Sequence, residues 1–307
     1  MNPGCRILRH GQKGSGTCSD PGMNADPPRP CSVHPTDLTL TQPEIKSSST
    51  TTYRIRPLTS EAELIQSQRL RYDVYSAGLG YIPPSQSCLE IDQYDSASIA
   101  LGALDEAGKM LGTLRIIGTD RKPRQDRLIR DILNDAGDPE LICRASGPRR
   151  SPLPLPSVTS DDIRREIEDM SDGLPIVELS RLIVLPGHRY SGLDRGLVFL
   201  GIALAAKSGP VVLVGGCLPE HVRLYARYGF VRLAGNGTGT KHHASVDRDG
   251  VTIACLTNQL PGNVQAVVDA ILRAYAAGSV EYASPISRDG IALYQFGEGS
   301  QDTQEVT

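Results

Sequence analysis

Polar and apolar positions alternate over residues 53–58, which predicts a short strand. Ser60 and Glu63 follow at the spacing of a capping box, in which the Ser60 hydroxyl accepts from the Glu63 amide while the Glu63 side chain reaches back. A helix is predicted from there to about residue 76, with Leu64, Arg71, Val74 and Tyr75 on one side; Arg71 is the charged member of an otherwise apolar stripe. Residues 97–104 and 110–118 read as two strands joined by a hairpin turn over 105–109, where Gly108 supplies the positive φ. A long irregular stretch, 119–175, carries one short helix at 126–133 and a proline-rich loop at 151–156. Next come an apolar strand at 175–185 and a largely buried helix at 194–207. A continuously apolar strand at 210–215 suits a central place in a sheet. A helix opening at Pro219 closes at Gly229, and a strand spans 251–256. The last predicted helix, 261–277, turns Val264, Val267, Val268, Ile271, Leu272 and Tyr275 inward and stops at Gly278.

This order predicts an α/β (α+β) sandwich: a mixed central sheet flanked by helices, with an extra helix at the C-terminal end. Residues 1–50 are rich in Pro, Gly, Ser, Thr and Asn and are expected to form a disordered tail, because they cannot bury enough surface to offset their ordering entropy. Residues 51–285 are expected to form one domain with 119–175 as a long insertion, and 286–307 a flexible tail. With 307 residues, 39% hydrophobic and 22% charged, the chain has the composition of a soluble protein, and a cytoplasmic location is expected. The net charge of −3 and the absence of tryptophan argue against a nucleic-acid partner. The longest apolar stretch, 197–218, is broken by Lys207, Ser208, Gly209 and Pro210, so no integral membrane segment is expected. Seven cysteines without a C-x-x-C pair read as reduced thiols. His188, His221, His242 and His243 lack ligand partners at metal spacing, so no metal is expected.

Two stretches carry candidate chemistry. Glu178-Leu179-Ser180-Arg181-Leu182 sets an acid and a base inside an apolar strand, and Leu224-Tyr225-Ala226-Arg227-Tyr228-Gly229-Phe230 ends a helix at a glycine and starts a strand. Residues 177–185 together with Pro186-Gly187-His188-Arg189-Tyr190-Ser191-Gly192 resemble the strand, loop and helix start of the GNAT superfamily of acyltransferases. The resemblance implies a GNAT-like acyl-CoA N-acyltransferase fold. It implies donor-binding roles for Leu182, Ile183, Val184, Arg189 and Gly192, at a helix N-terminus suited to anions. It also makes Tyr225 the group that protonates the departing thiolate. Asp194 stands where that loop usually carries glycine, and an acid beside a pyrophosphate is unfavourable. A carrier-protein thioester, with its single phosphate, therefore suits this chain better than coenzyme A.

A second resemblance covers roughly residues 53–235. Arg71-Tyr72-Asp73-Val74-Tyr75, Gly80-Tyr81, Glu90-Ile91-Asp92-Gln93-Tyr94-Asp95, Gly112-Thr113-Leu114-Arg115 and Glu178-Leu179-Ser180-Arg181 occur in the order found in acyl-homoserine-lactone (autoinducer) synthases and N-acyl amino acid synthases. Arg71, Asp92, Asp95, Arg115, Glu178 and Arg181 match that family's charged site residues. Tyr81 stands where lactone synthases usually have tryptophan, which favours the N-acyl amino acid branch. The resemblance implies transfer of a long acyl chain from acyl-ACP (acyl carrier protein) or acyl-CoA, used as a co-substrate with no tightly bound cofactor, to an amino acid-type amine.

The residue types suit that reaction. An amine attacking a thioester must first be neutral, and Glu178 is the candidate base. Arg71, Arg115 or Arg181 can grip an acceptor carboxylate, and Asp92 and Asp95 can hold its ammonium or orient the arginines. The bland alternative is that these acids and arginines form structural salt bridges. Glu178 and Arg181 have opposite strand parity, so a β-bulge is required for both to reach one side of the sheet. Arg121, Lys122, Arg124, Arg127 and Arg130 form a basic cluster that reads as a docking patch for the acidic carrier protein, or as a solvated loop. Two other functions stay open: a small-substrate acetyl-CoA-dependent N-acetyltransferase, and a non-catalytic acyl-binding module.

Overall fold

The structure, a computed structural model, describes residues 52–119, 124–149, 151–155, 160–189, 191–234, 240–242, 249–276, 281–287, 290–291 and 294–296. The expected N-terminal tail lies outside them, as do Arg121, Lys122, Tyr190 and His243. The strands are β1 (Thr52–Pro57), β2 (Ser98–Leu104), β3 (Met110–Gly118), β4 (Ile176–Val184), β5 (Val212–Cys217), β6 (Val231–Arg232), β7 (Thr240–His242), β8 (Asp249–Leu256), β9 (Glu281–Ser287), β10 (Gly290–Ile291) and β11 (Tyr294–Phe296). The helices are α1 (Glu61–Tyr72), α2 (Asp126–Ala136), α3 (Pro139–Ala145), α4 (Asp161–Ser171), α5 (Leu193–Ala206), α6 (Val222–Ala226) and α7 (Gly262–Ala276).

Among the described residues the strands form one mixed sheet in the order β10-β9-β1-β2-β3-β4-β5-β8-β6, with β11 added on β9 and β7 on β8. Every pairing is antiparallel except β4 with β5. This is the mixed central sheet with packed helices expected from the sequence.

One face of the sheet is covered by α5, whose apolar run is buried almost all round. Leu197, Phe199 and Leu200 share a cluster with Leu114, Leu213 and Ile253 of the sheet and with Val264 and Val268 of α7. Each large apolar side chain withdrawn from water here contributes about 1.5–3 kcal/mol. Gly201 lets the helix approach closely, since a Cβ there would lie 2.7 Å from Leu114 Cδ2. The opposite face carries two clusters. Leu64 of α1 and Ile129 and Ile132 of α2 pack with Ala100, Met110 and Ile183. Ile163 and Ile167 of α4 pack with Leu153, Val212, Val214 and Ala254. The candidate site lies on this second face.

The capping box forms as expected: Glu63 N donates to Ser60 Oγ at 3.4 Å, and Ser60 N donates to Glu63 Oε2 at 3.3 Å. Helix α1 then runs into a π-helical turn over Asp73–Gly78, a widening that often marks a functional site. The stretch 119–175 departs from expectation. It holds α2, α3 and α4 where one short helix, at the place of α2, is expected, and the starts of the two further helices have a physical cause. Asp138 caps α3 by accepting from Glu140 N and Leu141 N ahead of Pro139 at the first position, and Ser160 caps α4 by accepting from Ile163 N. At the other end, β9 crosses the expected tail boundary at 285. Its residues pair with β1, with Thr52 opposite Pro285 and Ile55 opposite Tyr282.

Candidate active site at the split between β4 and β5

Strands β4 and β5 pair in parallel over only three registers: Ile176 with Val212, Val177 with Leu213 and Glu178 with Val214. Beyond Glu178 they part. β4 continues against β3 alone, while β5 continues as Gly215, Gly216 and Cys217 against β8. The two neighbouring strands are therefore splayed, and Glu178 stands at the fork.

The expected bulge is also present. Arg115 pairs with Ser180 and Thr113 with Ile183, so Leu114 alone faces both Arg181 and Leu182. The extra residue is accommodated by Arg181 at φ 58°, a left-handed conformation unusual for a side chain with a Cβ. As a result Leu179 and Leu182, three residues apart, both pack toward α5, whereas Ser180 and Arg181 both reach the charged groups of the other face.

On that face three guanidiniums interleave with three carboxylates. Arg71 of α1 binds Asp95 through two bonds, 2.7 and 3.1 Å, and pairs with Glu90. Arg115 of β3 reaches Asp92 at 2.7 Å and Asp95 at 3.2 Å, and its Nε donates to Ser180 Oγ at 3.1 Å. Arg181 of β4 reaches Glu90 at 2.8 Å and Asp92 at 3.3 Å, and lies 5.3 Å from the Tyr75 ring centre. Burial pushes the Glu90 and Asp95 carboxyls up, but the surrounding guanidiniums outweigh it. Arg181 and Arg71 hold Glu90, and Arg71 and Arg115 hold Asp95, well below the usual carboxylate range.

Exposure sorts the group. Arg71, Arg115 and Asp95 are 1–2% exposed, while Asp92 at 18% and Arg181 at 28% have a surface to offer. Arg71 and Asp95 form the inner clamp of the network, the salt-bridge arrangement the sequence also allows. Arg115 is equally buried, and its Nη2 has no hydrogen-bond partner among the described residues. Glu90, which the sequence does not single out, bridges Arg71 and Arg181. Its burial depends on partners 19 and 91 residues away in the chain, which local pattern does not report.

Glu178 behaves differently from the other acids. It is 4% exposed, and burial raises its carboxyl to about 7 against the opposing pull of the Leu155 amide, Arg115 and Arg181. Its Oε2 accepts from Leu155 N at 2.8 Å. Across the split, Tyr225 of α6 packs edge-on against Phe230 with ring centres 5.9 Å apart. Burial holds the Tyr225 phenol well above its ordinary range, with Cys217 and Tyr75 acting in the same direction.

The residues expected to bind the donor divide. Leu182 and Val184 lie half-buried on the α5 side of β4 past the fork. Ile183 turns the other way into the α1–α2 cluster, leaving only its backbone for a donor. Gly192 adopts φ 85° as the residue before α5, Arg189 is exposed, and Asp194 occupies the first turn of the helix. In the basic cluster, Arg127 and Arg130 of α2 are exposed but pair with Asp131 at 3.8 Å and Asp126 at 2.7 Å, and Arg124 donates to Ala97 O.

A cleft of about 200 Å³ lined by Ala206, Pro210, Thr257, Gln265 and Leu272 lies at the far end of β5 and contains no titratable side chain, so it has no acid or base to offer. Among the described residues no group of His, Cys, Asp and Glu is arranged to hold a metal ion, and no helix is long and apolar enough to cross a membrane.

No protein-family model and no curated protein matches the chain. Solved structures do. FeeM, an N-acyl amino acid synthase from uncultured soil microbes, is 14% identical over 67% of this chain and 92% of its own, with a TM-score of 0.45. The CoA-dependent acyl-homoserine lactone synthase BjaI, with SAM and isopentyl-CoA, is 17% identical over 72% and 90%, with a TM-score of 0.45. The AHL synthase LasI is 15% identical over 72% and 96%, with a TM-score of 0.42.

Proposed function

We propose that the protein is an N-acyltransferase that moves an acyl group, long-chain in its preferred donor, from a carrier-protein or coenzyme A thioester to the amine of an amino acid-type acceptor. The observation that carries this reading is the position of Glu178. A buried carboxyl titrating near 7 sits where β4 and β5 part, beside a cluster of ionised groups. A base tuned near neutrality suits removal of a proton from an ammonium at working pH.

The acceptor enters as an ammonium. Asp92 holds the cation, and Arg181, with the unpartnered Nη2 of Arg115, receives the acceptor carboxylate. Glu178 takes one proton, and the freed nitrogen lone pair attacks the thioester carbonyl carbon. The C–N bond forms, the oxyanion collapses and the C–S bond breaks. The sulfur leaves with a proton from Tyr225, whose raised pKa keeps its hydroxyl protonated until that moment. The second nitrogen proton returns the phenol to its neutral form through solvent, so one thioester and one ammonium give one amide, one thiol and one proton. Asp194 in the first turn of α5 disfavours a pyrophosphate there and supports the carrier-protein donor. The docking surface proposed for that partner is α2 with Arg124, Arg127 and Arg130, extended in sequence by Arg121 and Lys122; the neighbouring Asp126 and Asp131 moderate its charge.

The test is direct. The purified protein is incubated with long-chain acyl carrier protein or acyl-CoA and a panel of amino acids, and products are read by mass spectrometry. A new acyl amide that disappears with Glu178→Gln is expected. Hydrolysis only, or amide formation undiminished in Glu178→Gln, refutes the assignment.

A further inference from the structure

The stretch Ser151-Pro152-Leu153-Pro154-Leu155, followed in sequence by Pro156, has a place in the site at Leu153 and Leu155 that its sequence does not announce. Leu153 is buried in the α4 cluster at 2% exposure and fastens the segment beneath the sheet. Two residues on, Leu155 N donates to Glu178 Oε2 at 2.8 Å. The Leu155 side chain packs at the edge of the same cluster, so close to β5 that a Cβ on Gly216 would lie 3.2 Å from Leu155 Cδ1. The segment therefore touches both arms of the fork, β4 through Glu178 and β5 through Gly216.

The alternation with proline has a physical consequence. Prolines at 152, 154 and 156 have no N–H and restrict both their own φ and the residue before each of them. Leu153 and Leu155 are then the only amide donors between 152 and 156, and the stiff backbone loses little entropy in presenting the second one. A loop without the prolines would offer an amide at every residue; here every second one is missing, and Leu155 supplies the one that meets Glu178.

We propose that Leu155 is a positioning residue: its backbone amide, held by the proline-braced segment, fixes the Glu178 carboxylate in the fork and sets the pH at which it becomes a base. The inference rests on the reading of Glu178 as the base of amide formation. The charged groups that bear on Glu178 are Arg115 from β3, Arg181 from β4 and Asp92 from the loop before β2. The two arginines favour the carboxylate and Asp92 opposes it, and the Leu155 amide adds an uncharged donor to the same oxygen. A hydrogen bond to a charged group is worth enough to move a carboxyl by roughly one pH unit.

The experiment replaces Leu155 with its α-hydroxy analogue, which keeps the side chain and exchanges N–H for an ester oxygen. Leu155→Ala, which keeps the N–H and removes the side chain, is the comparison, and Leu155→Pro removes the donor a second way. The Glu178 carboxyl is followed by carbon NMR of glutamate-labelled protein, assigned by its loss in Glu178→Gln, beside the pH profile of kcat/KM. Circular dichroism verifies the fold of each variant. The ester is expected to raise the Glu178 midpoint by roughly one pH unit and shift the kinetic profile with it, while Leu155→Ala leaves the midpoint in place. An ester variant titrating with the wild type overturns the proposal, as does a Leu155→Ala midpoint that moves as far as the ester's. The NMR titration needs no turnover. A protein that forms no amide but shows the shift loses the functional reading alone, and one that forms amide without the shift loses the positioning role alone.

Discussion

Replacing Arg71 by methionine is the sharpest test of the ionic network. The guanidinium is 1% exposed and neutralises Asp95, through two bonds of 2.7 and 3.1 Å, and Glu90. Removing one partner of a buried pair costs about 3–5 kcal/mol, because the carboxylates left behind are desolvated and unpaired. Here the loss is softened. Asp95 keeps Arg115 at 3.2 Å and Glu90 keeps Arg181 at 2.8 Å. The lower end, about 3 kcal/mol, is therefore expected. For a domain of this size that lowers Tm by roughly 6–12 °C. Acid supplies the signature. The wild-type carboxyls are depressed, so the stability they contribute is present above their ordinary values near 4 and is lost as pH falls through their lower folded values. Without Arg71 those folded values rise, so less stability remains to be lost on acidification, and the gap between wild type and variant narrows below about pH 4. Urea unfolding at pH 7 and at pH 3.5 measures both effects. Arg130→Ala is the control, since its pair with Asp126 is exposed and worth less than about 1 kcal/mol. A deficit for Arg71→Met no larger than that control, or one that does not change with pH, would refute the account of the cluster as mutually neutralising.

Three further outcomes follow from the geometry. Glu178 titrates at about 7 instead of its ordinary 4.5, so burial of its charge costs nothing below pH 4.5 and about 3 kcal/mol above 7; urea unfolding is expected to show stability falling over that window in wild type and not in Glu178→Gln. Tyr225→Phe is expected to lower kcat by about 10²-fold or more with KM nearly unchanged, in keeping with a lost proton donor, and steady-state kinetics showing the reverse split would remove Tyr225 from the chemistry. Gly215→Val places a branched side chain where even a Cβ lies 3.2 Å from the Leu179 carbonyl oxygen; a stability loss of about 1–3 kcal/mol and weakened donor binding are expected, by thermal unfolding and by KM for the acyl donor.

Several of these features were legible before any coordinates. The parity conflict between Glu178 and Arg181 demanded a bulge, and the paired register supplies it, with Arg181 in the left-handed region. Ser60 and Glu63 announced the start of α1 because capping is local chemistry. What stayed hidden has equally physical reasons. Helix α3 spans only Pro139–Ala145, too short for a period to register, and α4 shows a sparse apolar stripe built on Ile163 and Ile167 among charged neighbours. Glu90 looked like one acid in a polar loop, because nothing within twenty residues on its C-terminal side shows that Arg181 will meet it. The role of Leu155 was invisible for another reason: a backbone amide leaves no mark in side-chain chemistry, and only the surrounding prolines single it out.

Strand β1 opens the described fold and β9 lies near its end, yet the two are hydrogen-bonded neighbours, with Tyr53 opposite Ser284. During synthesis the earlier strand therefore waits, one side of its backbone unpaired, until more than two hundred further residues have left the ribosome. Such a bare margin invites pairing with other nascent chains. Expression hosts that translate slowly or lack holding chaperones are the setting in which this fold is most prone to be lost as aggregate, however sound its finished interior.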